Sequence, residues 1–252
     1  MEGLESTYAQ HLATLLRPYT YENMQANAAL ICKVWSEALK ADASSDDFLL
    51  LLAGVNRILS ELIRQIDELK LPQAASDLYK KNLKDISALI DIGQFGTEWR
   101  SVAVKKFKKS HIDILDLLHA ALLDRFKIFE IEPTARHELE TEIKEILESL
   151  AISDLPENVS TLMTRHLRYV LFVIQNFDIL GMGALRDALS SVLGSAFYES
   201  AKDEVVKQSP IVKRIGRFLS KGLSYFNTAV TTARNIEYTH DQVRMLLDSS
   251  GS

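Results

Sequence analysis

Apolar residues recur along this chain at spacings of three and four positions, the pattern of amphipathic helices. The pattern is clearest after Pro133, where glutamates fill the positions between the apolar ones. The apolar positions there are Leu139, Ile143, Ile146, Leu147 and Leu150. Similar patterns cover most of the chain. We therefore predict an all-α fold, a helical bundle of about eight or nine helices with no sheet.

Helix boundaries in the first half follow from capping residues and glycines. The run Ser44-Ser45-Asp46-Asp47 is typical of a helix start and predicts a helix from Phe48 to about Lys70. A second helix is predicted from Pro72 to about Ile92, where Gly93 and Gly96 end it. The next segment, Thr97 to about Ile131, is predicted to form one long helix.

The second half shows three further signals. Asp154-Leu155-Pro156-Glu157 predicts a helix with Asp154 as N-cap and Glu157 completing a capping box. Ser209-Pro210 is a second start signal. Between them, Gly181-Met182-Gly183 separates two predicted helices, 157–180 and 184–207, and permits a chain reversal. A helical hairpin is therefore expected.

Chain length and composition agree with helices in one large domain or two small ones. The chain has 252 residues with 10 glycines and 5 prolines, fewer turn-forming residues than an all-β protein needs. We predict an N-terminal helical subdomain over residues 1–92 and a helical bundle over 97–252, which ends in a cationic amphipathic helix. One continuous bundle fits nearly as well.

A few features of the sequence indicate the cellular compartment and the membrane topology. Cys32 is the single cysteine, which excludes an internal disulfide and a cysteine-based zinc site, and we expect its thiol to be buried. The start, Met1 to Tyr8, contains two glutamates and lacks the cationic and apolar pattern of a signal peptide. No uncharged run reaches the length of about 20 residues that a membrane span requires. We expect a cytoplasmic protein with no transmembrane span.

The least ordinary feature is a cationic segment near the C-terminus. Residues 205–236 contain six lysines and arginines and no acidic residue. From Ile211 to Val230 the apolar and basic residues fall on two separate arcs of a helix. The basic arc carries Lys213, Arg214, Arg217 and Lys221.

This basic arc is a candidate binding surface. It is compatible with nucleic-acid phosphates, with the anionic lipids of a peripheral membrane site or with an acidic protein. The alternative is that the apolar arc packs on the bundle and the basic arc is a solvated face.

A second basic cluster surrounds Phe107. It consists of Lys105, Lys106, Lys108 and Lys109. It would extend a phosphate-binding surface if the fold brought it beside the first cluster, whereas alone it is typical of a solvated helix end.

A short motif at the C-terminus is the one candidate for catalysis. The run from Arg234 to His240 reads Arg-Asn-Ile-Glu-Tyr-Thr-His. It resembles the Arg-polar-spacer-His motif of HEPN-type ribonucleases, which are all-α and need no metal. The resemblance covers seven residues. It implies that Arg234 stabilises phosphate charge, that His240 transfers a proton and that Asn235 fills the polar position after the arginine.

Metal and nucleophile motifs are weak. A di-metal bundle needs a Glu-x-x-His pair on each of two helices, and only Glu237-x-x-His240 fits, with Asp116-x-x-His119 as a shorter relative. There is no Walker loop and no G-x-S-x-G elbow. We predict no metal site and no cofactor.

The leading hypothesis is a non-enzymatic interaction or regulatory protein, an adaptor or accessory subunit that binds a protein partner or forms a homo-oligomer. One alternative is a HEPN-like ribonuclease that uses Arg234 and His240. Another is a membrane-surface effector that acts through residues 211–230. A place in a bacterial stress-response or phage-defence system is a hypothesis drawn only from the general character of the chain.

Overall fold

The computed structural model describes residues 6–24, 29–126 and 131–229, with side chains described as far as residue 224. These residues contain eleven α-helices, two 3₁₀ turns and no sheet; the sole extended pairing between described residues is an isolated bridge of Leu30 with Glu98. The prediction of an all-α fold is confirmed. The chain divides into two units, residues 1–130 and 131–252. Gly93 and Gly96 therefore lie inside the first unit.

The first unit contains six α-helices and both 3₁₀ turns, which are Arg17–Tyr19 and Ile92–Gln94. Its helices are α1 (Tyr8–Leu16), α2 (Ile31–Leu39), α3 (Asp46–Glu68), α4 (Gln73–Ser87), α5 (Trp99–Lys106) and α6 (Lys109–Leu122). The second unit contains the other five. They are α7 (Pro133–Ala151), α8 (Glu157–Gln175), α9 (Phe177–Lys202), α10 (Glu204–Gln208) and α11 (Pro210–Ala229).

Two buried tryptophans organise the core of the first unit. The indole N–H of Trp35 donates to the carbonyl of Leu89 at 2.7 Å, and that of Trp99 donates to the carbonyl of Tyr19 at 2.9 Å. Both indoles are fully buried, so these bonds satisfy donors that would otherwise be costly. Cys32, expected to be buried, is only half-buried on α2.

The single long helix predicted from Thr97 is wrong, because the chain breaks at Phe107. This residue has φ −148° and ψ 89°, and its fully buried ring packs edge-on against Trp99. The physical reason is a register change: Trp99, Ala103 and Phe107 are spaced by four, but the next buried residue is Ile112, five positions on. A continuous helix cannot bury both sets on one face.

Two predicted N-caps had opposite outcomes. Ser45 caps α3 as expected, since its hydroxyl accepts the Phe48 N–H at 3.1 Å. The capping box at Asp154 is wrong, because α8 begins at Glu157 and its N-cap is Pro156 in an extended conformation. A residue before proline is disfavoured in the helical region, which disfavours Leu155 as the first helical residue.

The hairpin of α8 and α9 turns near the predicted glycines. α8 ends at Gln175, and Gly181 lies in a kink within α9, at φ 71° and ψ −179°. Only glycine adopts this region without strain. Arg136 of α7 fixes the turn, because its guanidinium donates to the carbonyls of Ile174 and Gln175 at 2.8 and 2.9 Å. The predicted helix break at the glycines is present as the kink at Gly181, and α8 ends several residues earlier than predicted.

A further break separates α9 from α10. The helix predicted to reach residue 207 ends at Lys202, and the Asp203 carboxylate caps the short α10 by accepting the Val205 N–H at 2.8 Å. Val206 is then fully buried. This break and the one at Phe107 account for the difference between nine predicted helices and the eleven of the described residues.

Candidate functional site

The cationic amphipathic helix α11 is packed within its own unit. Its apolar arc is buried: Ile215, Phe218 and Leu219 are fully covered, and Val212 and Ile211 nearly so. The helix contacts α7, α9 and α10. From the sequence, the apolar arc also includes Phe226 and Val230, whose side chains lie outside the described ones.

Half of the basic arc is neutralised by glutamates of α7. The Arg214 guanidinium donates to the Glu145 carboxylate at 2.5 Å and to the Ser149 hydroxyl at 3.2 Å. The Lys221 ammonium lies 3.2 Å from Glu142 and 3.3 Å from Glu138. Numbers rise along α11 as they fall along α7, so the two helices run antiparallel with complementary charge.

The Lys221 ammonium shows the balance of forces in this contact. Partial burial lowers its pKa, but hydrogen bonds and attraction from Glu142 and Glu138 outweigh that effect, so the pKa is raised above its ordinary value of 10.5. Lys221 therefore stays charged and engaged at neutral pH.

The other two predicted binding cations differ from these. Lys213 is half-buried and Arg217 is exposed, and neither forms a salt bridge to another described residue. The four cations thus do not form one open patch. An anionic ligand would compete with Glu145 and Glu142 for Arg214 and Lys221.

The second basic cluster lies at the junction of α5 and α6, in the first unit. Lys105, Lys108 and Lys109 are exposed and Lys106 is half-buried, while Phe107 between them is fully buried. The Glu22 carboxylate accepts the Lys109 backbone N–H at 2.8 Å and so occupies the start of α6. The two basic clusters belong to different units.

Arg234, Asn235 and His240 lie outside the described residues. Over residues 6–24, 29–126 and 131–229, no group of three or more His, Cys, Asp or Glu side chains is arranged to hold a metal ion. Within the same ranges, no helix has the length and apolar character to cross a bilayer.

An open groove of about 740 Å³ lies in the second unit, where the end of α7 meets α10 and the start of α11. Its volume is within the range of ordinary ligand sites. We call it the α7–α11 groove. Its described lining residues are Ser149, Ile152, Ser153, Asp154, Leu155, Glu204, Val205, Gln208, Ser209, Pro210 and Ile211.

The groove exposes large apolar side chains that the fold leaves uncovered. Ile152, just after α7, is 86% exposed, and Val205, on α10, is 63% exposed. Leu155 and Ile211 are the nearly buried residues that line the same groove. An aliphatic surface of this kind, bordered by polar groups, is typical of an interaction site.

The described charges that line the groove are both acidic. Glu204 accepts a hydrogen bond from the Gln208 amide at 2.9 Å and lies 3.5 Å from the Lys207 ammonium. The Gln208 bond is the main cause that lowers the pKa of Glu204 below its ordinary value of 4.5. Asp154 is exposed and has no hydrogen bond or ion pair with another described side chain. No lysine or arginine is among the described lining residues.

Sequence reasoning did not find these groove residues, although two local signals point to them. The buried positions of α7 end at Leu150, and Ile152 falls two residues later, off the helical register. Val205 and Val206 are adjacent, and a helix that packs on one side can bury only one of them fully. An apolar residue out of register with its neighbours is the signal to look for.

Comparison with protein-family models, with curated proteins and with solved structures found no significant match for this chain.

Proposed function

We propose that this protein is a non-enzymatic helical interaction protein that binds a segment of another protein in the α7–α11 groove. The observation that carries the proposal is the pair of exposed aliphatic side chains, Ile152 and Val205, at the border of a groove of about 740 Å³. Covering such surface is favourable by roughly 25 cal/mol for each Å² removed from water.

The charge of the groove supports a protein partner over the other candidate classes. Asp154 presents a negative charge that no described side chain pairs, Glu204 pairs with Lys207, and no lysine or arginine is among the described lining residues. Nucleic acids and anionic membranes both offer dense negative charge, which these carboxylates repel. A protein segment can combine apolar side chains with a neutral or basic flank.

The same charges argue against a second copy of this chain on the groove. In a two-fold symmetric contact each copy presents the same patch to the other. The acidic residues Asp154 and Glu204 of both copies would then share one apolar interface, where like charges are destabilising.

The docked state of α11 bears on the membrane alternative. For α11 to insert in a lipid surface, Phe218 and Leu219 would have to leave a fully buried position, and Arg214 and Lys221 would have to leave their glutamates. The groove needs no such rearrangement, because Ile152 and Val205 are already exposed. Binding at the groove is therefore the less costly mode.

The test is site-specific photo-crosslinking in the native host cells. A photoreactive amino acid replaces Val205, and in a matched control it replaces Ile92, an apolar residue of the first unit that is 67% exposed. We expect a discrete adduct with another protein from position 205 and not from position 92. Ile152→Ser in the same chain should reduce the adduct strongly, because it removes apolar surface from the groove.

Four results would overturn the proposal. They are equal adducts from both positions, no adduct from position 205, an adduct at twice the mass of the chain, and an adduct with lipid or nucleic acid. An adduct that survives Ile152→Ser unchanged would also count against binding in the groove.

A further inference from the structure

We infer that the α7–α11 groove selects apolar segments that carry an arginine or lysine, and that the Asp154 carboxylate receives the cationic group. The inference rests on the proposed function and specifies the chemistry of the partner. It depends on Asp154, which is a residue type that often caps a helix but does not cap α8.

The position of Asp154 is set by the proline two residues later. Pro156 serves as N-cap of α8 in an extended conformation, with no side-chain capping bond, and the first helical hydrogen bond runs from the Ser160 N–H to the Pro156 carbonyl at 2.9 Å. Asp154 therefore precedes the N-cap by two residues. Asp154 is therefore a lining residue of the groove, and its side chain does not cap the helix.

Glu204 is less available than Asp154 to a partner. The Gln208 amide and the Lys207 ammonium already lie at the Glu204 carboxylate. Asp154 has no such neighbour among the described side chains. A cation that enters the groove would thus gain most from Asp154, which can accept two parallel hydrogen bonds from a guanidinium.

The groove also suits the rest of an arginine or lysine side chain. Such side chains lay their methylene stems along apolar surface and keep the charged end in water. Ile152, Leu155 and Ile211 supply apolar surface near the exposed carboxylate. A partner that offers aliphatic residues beside one basic residue matches both properties of the groove.

The experiment measures the affinity of three synthetic peptides for the purified 252-residue chain by fluorescence anisotropy. The peptides have equal length and the same leucine positions, and they carry arginine, glutamine or glutamate at the same flanking sites. We expect the arginine peptide to bind about two- to five-fold more tightly than the glutamine peptide at low salt, as for an exposed ion pair, and the glutamate peptide to bind least. Added salt should shrink this preference.

Two substitutions assign the preference to Asp154. Asp154→Asn should abolish the difference between the arginine and glutamine peptides, and Asp154→Lys should make the glutamate peptide the tightest. The matched control is Asp187→Asn on α9, where the carboxylate is exposed and pairs only with the adjacent Arg186 among the described residues. It should leave the order of the peptides unchanged.

The outcomes separate this inference from the proposed function. If the three peptides bind with equal affinity, or if Asp154→Asn keeps the preference for arginine, the inference fails while the groove remains a peptide site. If no peptide binds, or if Ile152→Ser does not weaken binding, the proposed function fails with it.

Discussion

The contact between α7 and α11 has two ends that differ in how completely it covers apolar surface. At the closed end, Glu138, Glu142 and Glu145 face Arg214 and Lys221, and the apolar arc of α11 is buried beneath them. At the open end, beyond Ser149, the helices border a groove, and Ile152 and Val205 are left exposed.

The difference shows what closes a helix contact and what leaves it open. At the closed end Arg214 and Lys221 of α11 meet Glu145, Glu142 and Glu138 of α7, while the buried residues remove apolar surface from water. At the open end the described charges that line the groove, Asp154 and Glu204, are acidic, no described side chain pairs with Asp154, and the neighbouring helix α10 is only five residues long. Stability therefore comes from the closed end, and we assign partner binding to the open end.

The sharpest separation of the two ends is expected from truncating one large side chain in each. Phe218→Ala at the closed end should lower the free energy of unfolding by about 3–5 kcal/mol, since the ring is fully buried. Ile152→Ala at the open end should change it by at most about 0.5 kcal/mol, because the side chain is exposed. Urea unfolding followed by far-ultraviolet circular dichroism measures both.

Tryptophan fluorescence provides an internal control for this prediction. Both tryptophans, Trp35 and Trp99, lie in the first unit, so their signal follows the unfolding of that unit.

A milder substitution at the same site is a second control. Phe218→Leu should lower the free energy of unfolding by less than about 1.5 kcal/mol. A Phe218→Ala variant no less stable than Ile152→Ala would refute the assignment of stability to the closed end.

A smaller effect is expected at Gly222, where α11 packs closely on α9. A Cβ atom at this position would lie 3.1 Å from the Leu189 Cδ1 atom, tighter than ordinary van der Waals contact. Gly222→Val should therefore destabilise by about 1–3 kcal/mol. Gly194→Ala is the matched control, because nothing lies within 4 Å of its Cβ, and it should stabilise by about 0.5–1 kcal/mol in thermal unfolding. Equal effects of the two substitutions would contradict close packing of α11.

The smallest effect is expected from the ion pairs of the closed end. A double-mutant cycle on Lys221 and Glu142 should give a coupling of about 0.2–1 kcal/mol that falls with salt, because both side chains are partly exposed. Lys213→Gln should leave stability nearly unchanged, since Lys213 forms no salt bridge among the described residues. An absence of coupling at low salt would refute the claim that opposite charges stabilise the closed end.

This ion pair also predicts a pH dependence. The pKa of Lys221 is raised in the folded protein above its ordinary value of 10.5, so its contribution is complete below that pH and is lost as the pH rises through the folded pKa. The stability difference between the wild-type protein and Lys221→Gln should therefore shrink in strongly alkaline solution. Chemical unfolding across the alkaline pH range checks this prediction. A stability difference between the two proteins that grows with pH would contradict it.

Local sequence patterns were enough to predict the fold class and several helices. The spacing of apolar residues after Pro133 and the capping serine at Ser45 both reported real elements, because the forces involved act within a few residues. The failures at Phe107 and Asp154 have local causes too. A five-residue step in the buried register broke one helix, and a proline displaced the start of the other.

The candidate site was less predictable, because it depends on which neighbour covers each face. The two arcs of α11 are visible in the sequence, but the glutamates that neutralise Arg214 and Lys221 lie more than sixty residues earlier. The groove arises where three segments meet, and no motif in any one of them encodes it. Only Ile152 and Val205 are recognisable in the sequence, as aliphatic residues out of register with their buried neighbours.

The most direct test of the central claim is whether the open end is covered inside the cell. In a Cys32→Ser background, Ile152→Cys and Ile92→Cys are each labelled with a membrane-permeant maleimide, once in the native host cells and once as purified protein. Both original side chains are highly exposed, so both introduced thiols should react rapidly in the purified protein. We predict that labelling at position 152 slows in cells relative to position 92. An unchanged ratio of the two rates would contradict the account.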